Sequence, residues 1–164
     1  MRLMRVHGQE RRYVHTRIGI NGRMDTLQAA ILLAKLAHYP AEIKARAEIG
    51  LRYTDLIREH CPKIVPPEIG AGNSSVYAQY SIQADDRTPY IKYLNAVGIP
   101  TAVHYPTPLH RQPIYESNAQ CIVAGSLDRA EAVSRRIFSL PMHPYLDESV
   151  QETIVSALAS ANSL

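Results

Sequence analysis

Gly19-Ile20-Asn21-Gly22-Arg23-Met24-Asp25-Thr26-Leu27-Gln28-Ala29-Ala30 puts an amide and a guanidinium immediately ahead of a helix start. Asp25 followed by Gln28 has the spacing of a capping box, and Leu27, Ala30, Ile31 and Ala34 recur on one helical face. Asn21 and Arg23 then fall in the turn outside the helix N-terminus, where unpaired N–H groups and the helix dipole favour anions. On spacing alone, an N-cap turn with two solvated polar side chains is the simpler reading.

Working outward, the pattern predicts two helices, 25–38 and 40–60, with Pro40 in the first turn of the second. Ile43, Ala47, Leu51 and Ile57 supply its apolar stripe, and Cys61-Pro62 ends it. Residues 1–22 are basic, weakly patterned and expected to be loose. Pro66, Pro67, Gly70, Gly72 and Asn73 predict a loop that leads into a mixed α and β region. There Val76, Ala78, Tyr80 and Ile82 alternate as a half-buried strand. Thr88 and Pro89 open a helix that Gly98 closes, and Ile99 to Tyr105 reads as a second strand running into a proline-rich loop. Leu127, Ala130, Val133 and Ile137 mark a further helix, and Asp147 caps a last one with Val150, Ile154 and Leu158 inward.

Composition bounds the function. Apolar residues at 46% and charged residues at 20% fit a folded globular chain. A net charge of +3 is too small to imply nucleic-acid binding, and the ten tyrosines come without any RNA-binding motif. Cys61 and Cys121 are the two thiols and have neither zinc nor disulfide-framework spacing. His104, His110 and His143 lack the ligand spacing of a metal site. The N-terminal residues have no signal-peptide core, and the apolar run Ala29–Ala34 is too short to span a bilayer, so a cytoplasmic protein is expected.

The order of residues adds a specific resemblance. Gly19–Leu32, Ser75–Tyr80, Thr101–Pro113 and Ser139–Asp147 resemble, in order, segments of the DegT/StrS-type sugar aminotransferases, which use pyridoxal phosphate to aminate nucleotide-linked keto sugars. The resemblance covers nearly all 164 residues but only the C-terminal part of such an enzyme. It implies an α/β (mixed α+β) fold: the C-terminal part of a fold-type I aminotransferase. Residues 1–22 would be a remnant of the large cofactor domain, 23–62 linking helices, and 63–164 a small C-terminal α/β domain. One departure is local: relatives commonly have a proline and an acidic residue where this chain has Ile122 and Gly125.

The resemblance also assigns roles. Asn21 would reach the cofactor phosphate of a neighbouring subunit; by itself it also suits a turn beside Gly22. Arg23 would hold a substrate carboxylate in relatives acting on uronic acids, a two-pronged pairing that lysine cannot imitate; it equally suits a surface arginine. His104 and Tyr105, at the end of the second strand, would meet the nucleotide-sugar; a capped strand end with Tyr105 on prolines competes with that reading. His110 and His143 are weaker candidates.

Pyridoxal chemistry needs a lysine, and in the family it lies upstream of the segment matched by Gly19–Leu32. Lys35, Lys44, Lys63 and Lys92 are the four lysines here and read as surface side chains, so no catalytic residue is assigned. The expectation is the C-terminal portion of a homodimeric nucleotide-sugar aminotransferase of polysaccharide synthesis, with glutamate as the usual amino donor, inactive alone. A non-catalytic nucleotide-sugar-binding or subunit-pairing module, or a relic without activity, is the alternative.

Overall fold

The computed structural model describes residues 1–116 and 122–161. Cys121 therefore lies outside the described residues. The chain forms two compact units, Met1–Ala41 and Glu42–Leu164. The division falls within the second helix, so the expected linking segment 23–62 is shared between them.

The first unit contains strands β1 (Gln9–Arg11) and β2 (Val14–His15), paired antiparallel, and helix α1 (Thr26–Leu36). Residues 1–22, expected to be loose, are instead knit by backbone hydrogen bonds. Ile20 N–H donates to Met4 O at 2.8 Å, His7 N–H to Ile20 O at 3.0 Å and Gly22 N–H to Arg5 O at 2.7 Å. Two glycines make this possible. A Cβ on Gly19 would lie 2.2 Å from Gly8 N, and one on Gly8, at φ 69°, would lie 1.7 Å from Arg17 O. Close backbone approach, invisible to hydrophobic patterning, orders this segment. The Asp25 carboxylate caps α1 through Leu27 N–H at 2.8 Å, but no reciprocal Gln28 bond accompanies it among the described residues. No residue of α1 is buried: the apolar face read from the sequence is exposed.

The second unit is built on β3 (Tyr80–Gln83) and β4 (Ile137–Leu140), antiparallel with Ser81 opposite Ser139 and Ile82 opposite Phe138. Single bridges extend this pair on both edges, Val65 to Gln83 and Ala102 to Ser139. Tyr80, Ile82, Phe138 and Leu140 alternate onto one face. Helices α2 (Tyr39–His60), α3 (Thr88–Ala96) and α6 (Glu148–Ala161) supply the rest of that core through Tyr53, Ile57, Leu94, Val155 and Leu158. Each such side chain contributes roughly 1.5–3 kcal/mol by burial. The two central tyrosine hydroxyls are satisfied: Tyr80 OH meets Thr54 Oγ1 at 2.8 Å, and Tyr53 OH donates to Pro141 O at 3.1 Å. Short α4 (Pro113–Glu116) and α5 (Asp128–Arg136) complete the elements.

Several sequence expectations change. The strand expected from Val76 begins only at Tyr80, because Tyr77 takes φ 42° and lays its ring over Gly50, with Arg46 donating to its carbonyl at 2.9 Å. Ile99–Tyr105 yields one bridge rather than a strand; Pro100 and Pro106 cannot donate to a ladder. Thr88 is the first residue of helix α3; Arg87 stands at the N-cap without a side-chain cap bond, and Asp86 just before it accepts from Thr88 N–H at 2.8 Å. Ile137 opens β4 instead of ending α5, where Arg87 donates to both Ser134 O and Ile137 O. In α6, Val150 is exposed, and Gln151 and Val155 turn inward beside Ile154 and Leu158.

Candidate functional site

In the first unit, the Val6–Asn21 bridge and the Gly22 to Arg5 bond fix the backbone from which Asn21 and Arg23 project. Both side chains are exposed, and Arg23 Nε donates to Asn21 Oδ1 at 3.2 Å. A guanidinium has only donors, so it must face the amide oxygen. The two hydrogens of Asn21 Nδ2 are left without a partner among the described residues. The surroundings are cationic: residues 1–41 carry seven Lys or Arg against two Asp or Glu, whereas residues 42–164 carry eleven against thirteen. Among the described residues, none in 1–41 forms an ion pair. This unit offers donors and uncompensated positive charge, the chemistry of an anion site.

In the second unit, His104 and Tyr105 start a loop that wraps a cavity of about 820 Å³, walled opposite by Leu127, Ala130, Val133 and Ile137. The His104 ring is half-buried, with Nδ1 3.5 Å from Ser139 Oγ. The Tyr105 ring is 73% exposed and stands edge-on to His104, centroids 5.6 Å apart, so it does not pack away on the prolines. A 3-10 turn at Leu109–Arg111 carries His110, whose Nε2 lies 3.0 Å from Glu131 Oε1 on α5. Arg111 Nε donates to the same oxygen at 2.9 Å. The His110 bond first, and then Arg111, hold the Glu131 carboxyl below the usual carboxylate range. His110 is thereby an anchor of the loop, while exposed His143 accepts Tyr145 N–H at 3.3 Å in a turn.

Structure pairs Asn21 with Arg23 and His104 with Tyr105, each pair within its own unit. Sequence reasoning missed Glu131, Ser139 and Ser81. Glu131 could have been suspected as an acid on α5 with two basic residues in a facing loop; the serines gave no signal of their own. All four lysines are exposed. Among the described residues, no group of three or more His, Cys, Asp or Glu side chains could hold a metal ion, and no helix is long and apolar enough to cross a membrane.

The model of the DegT/DnrJ/EryC1/StrS aminotransferase family matches residues 1–159. The chain belongs to that family. UDP-2-acetamido-2-deoxy-3-oxo-D-glucuronate aminotransferase from Pseudomonas aeruginosa is 44% identical over 154 residues, which are 94% of this chain and 41% of that enzyme. A solved DegT DnrJ EryC1 StrS aminotransferase from Brucella abortus is 41% identical, with a TM-score of 0.88 over 97% of this chain and 42% of its own. DesV from S. venezuelae, solved in complex with a ketimine intermediate, has a TM-score of 0.88 at 30% identity, over 97% of this chain and 42% of its own. This DegT-family chain shares their mixed helix-and-strand fold and spans about two-fifths of their length.

Proposed function

We propose that this chain is the C-terminal portion of a pyridoxal-phosphate-dependent nucleotide-sugar aminotransferase, acting in the cytoplasm as a homodimer on a 3-oxo UDP-sugar for polysaccharide synthesis, with glutamate as amino donor. Family membership and the 44% identity to an enzyme of that name support the reaction class. The observation that carries the site reading is the Asn21–Arg23 pair in a cationic, ion-pair-free unit.

The residues fit the phosphate end of such a cofactor. Asn21, its oxygen engaged by Arg23, presents only donors, which suit a phosphate oxygen. When bound, pyridoxal phosphate supplies the electron sink that lets an amino group pass to a keto sugar. The remaining duties are those of the chain. Arg23 keeps further guanidinium N–H groups beyond the one given to Asn21, and these would orient a uronate carboxylate. His104 and Tyr105, at the mouth of the 820 Å³ cavity, would donate to the sugar or diphosphate and exclude water from it. Asn21, Arg23, His104 and Tyr105 would serve the neighbouring subunit's site. The lysines, all on the surface, take no part in the chemistry, so the 164 residues alone are not expected to transaminate.

Calorimetric titration with a UDP-glucuronate derivative and its uncharged UDP-glucose counterpart tests the reading. Arg23→Lys is expected to weaken uronate binding by about 1.5–3 kcal/mol, the worth of a hydrogen bond to a charged group, and to leave the uncharged sugar within a fewfold. Equal losses on both ligands would remove the carboxylate role.

A further inference from the structure

We infer that Glu131 is a positioning residue: it ties the far end of the 105–112 strap to α5 and so fixes where His104 and Tyr105 stand over the cavity. The inference rests on the nucleotide-sugar reading for what those two rings meet, but not for how the strap is held.

The strap is stiff along its length and depends on its ends. Pro106 and Pro108 fix their own φ and disfavour helical backbone at Tyr105 and Thr107. At the near end the Ala102–Ser139 bridge joins the chain to β4, with Ser139 N–H donating to Ala102 O at 2.7 Å and Ala102 N–H to Ser139 O at 3.2 Å. At the far end Arg111 N–H donates to Pro108 O and Gln112 N–H to Leu109 O, both at 3.0 Å, which closes the 3-10 turn. Between the ends, Tyr105, Pro106, Thr107 and Leu109 are all exposed, so little packing holds the middle.

Glu131 is what the far end is tied to. Its Oε1 accepts from His110 Nε2 at 3.0 Å and from Arg111 Nε at 2.9 Å, two consecutive residues on one oxygen. An ionised carboxylate only accepts, so both nitrogens donate, and both bonds are charge-assisted. The Glu131 side chain is 25% exposed and that of His110 17%, so water screens this contact less than it screens a surface pair. The helix beneath is itself fixed, because Arg87 donates to Ser134 O and Ile137 O where α5 gives way to β4. Glu131 and Ser139 therefore lie on one continuous segment, 128–140, that holds both ends of the strap. The 820 Å³ cavity is the space the strap spans, with Leu109 on its side and Ala130 and Val133 on the α5 side. Without the Glu131 tie one end is free, and the stiff Tyr105–Pro108 stretch swings as a unit about the other.

Backbone amide order in the 164-residue chain, read from heteronuclear NOEs, tests the tie. Glu131→Ala is expected to lower the order of Tyr105, Thr107 and Leu109 while Ala102 and Ser139, held by the bridge, keep theirs. Glu131→Gln, whose amide oxygen still accepts both donors, should restore most of it. If Glu131→Ala fails to fold, His110→Ala together with Arg111→Ala removes the same bonds from the strap side. Titration with UDP-glucuronate reads what the tie is for. Affinity should fall about tenfold in Glu131→Ala and stay within about threefold of wild type in Glu131→Gln. With His104→Ala and Tyr105→Ala already in place, adding Glu131→Ala should cost less than about twofold, because residues that act through one another are not additive. Unchanged order at Thr107 and Leu109 in a folded Glu131→Ala chain, or an equal loss at Ala102 and Ser139, overturns the inference. So does a further loss of about tenfold once both rings are gone. Lost order with unchanged UDP-glucuronate affinity upholds the tie and overturns the nucleotide-sugar reading of His104 and Tyr105.

Discussion

Two titratable side chains carry opposite pH signatures. The Glu131 carboxyl is held low by His110 and Arg111, so its contribution is complete above the unfolded value of about 4.3 and is lost as pH falls through the lower folded value. The Leu109–Arg111 turn is expected to stay on α5 from neutral pH down to about 4.3, followed by Leu109 methyl and His110 ring shifts; release above pH 5 would break this account. Cys61 behaves in the other sense. Its thiol is buried against Val155 O, and burial pushes its pKa up to about 11. Its share of stability is full below the unfolded value of about 8.5 and is lost as pH rises through the folded one. Peptide mapping after treatment with a thiol reagent at pH 8 should find Cys61 unmodified in the folded chain and modified in urea; rapid labelling without denaturant contradicts the burial.

Helix α2 depends on one missing side chain. A Cβ on Gly50 would sit 2.2 Å from Tyr77 Cδ2 and 2.4 Å from Cε2, so Gly50→Ala must unseat that ring. It is expected to cost about 1–3 kcal/mol in urea unfolding despite the higher helix propensity of alanine. In a Tyr77→Ala background the cost should largely vanish; a persistent cost would place the strain elsewhere. The same contact shows what the sequence could reveal. Helices α2, α3 and α6 were legible from Ile57, from the Thr88-Pro89 start and Gly98 stop, and from Ile154 and Leu158 at helical spacing. The α2 stripe was misphased, however: Leu51 is exposed, and Gly50, Tyr53 and Thr54 are buried beside Ile57. Strand β4 was not legible, since Ile137-Phe138-Ser139-Leu140 continues the helical phase of α5 and only pairing with Tyr80–Gln83 decides its conformation. The order in residues 4–22 was hidden for a related reason: it comes from glycine-permitted backbone contact rather than from apolar side chains.

At the scale of the molecule, charge and apolar surface are unevenly shared. The first unit holds the excess positive charge and an α1 helix with no buried residue; the second holds the core. The family could be read from four ordered segments, and so could the candidates Asn21, Arg23, His104 and Tyr105. Glu131, which holds the loop after Tyr105 through His110 and Arg111, and Ser139, which stands beside His104, required the fold, because each lies far along the chain from the residue it meets. The most direct measurement replaces the matching two-fifths of the Pseudomonas aeruginosa enzyme with this chain and follows amination of the 3-oxo UDP-sugar, with glutamate supplied as the proposed donor. The account predicts turnover by the chimera, none by the 164 residues alone, and a loss of at least about tenfold in kcat/KM for Asn21→Ala and for Arg23→Ala, the equivalent of one charge-assisted hydrogen bond each. Turnover by the 164 residues alone, or a folded chimera indifferent to both substitutions, would contradict it.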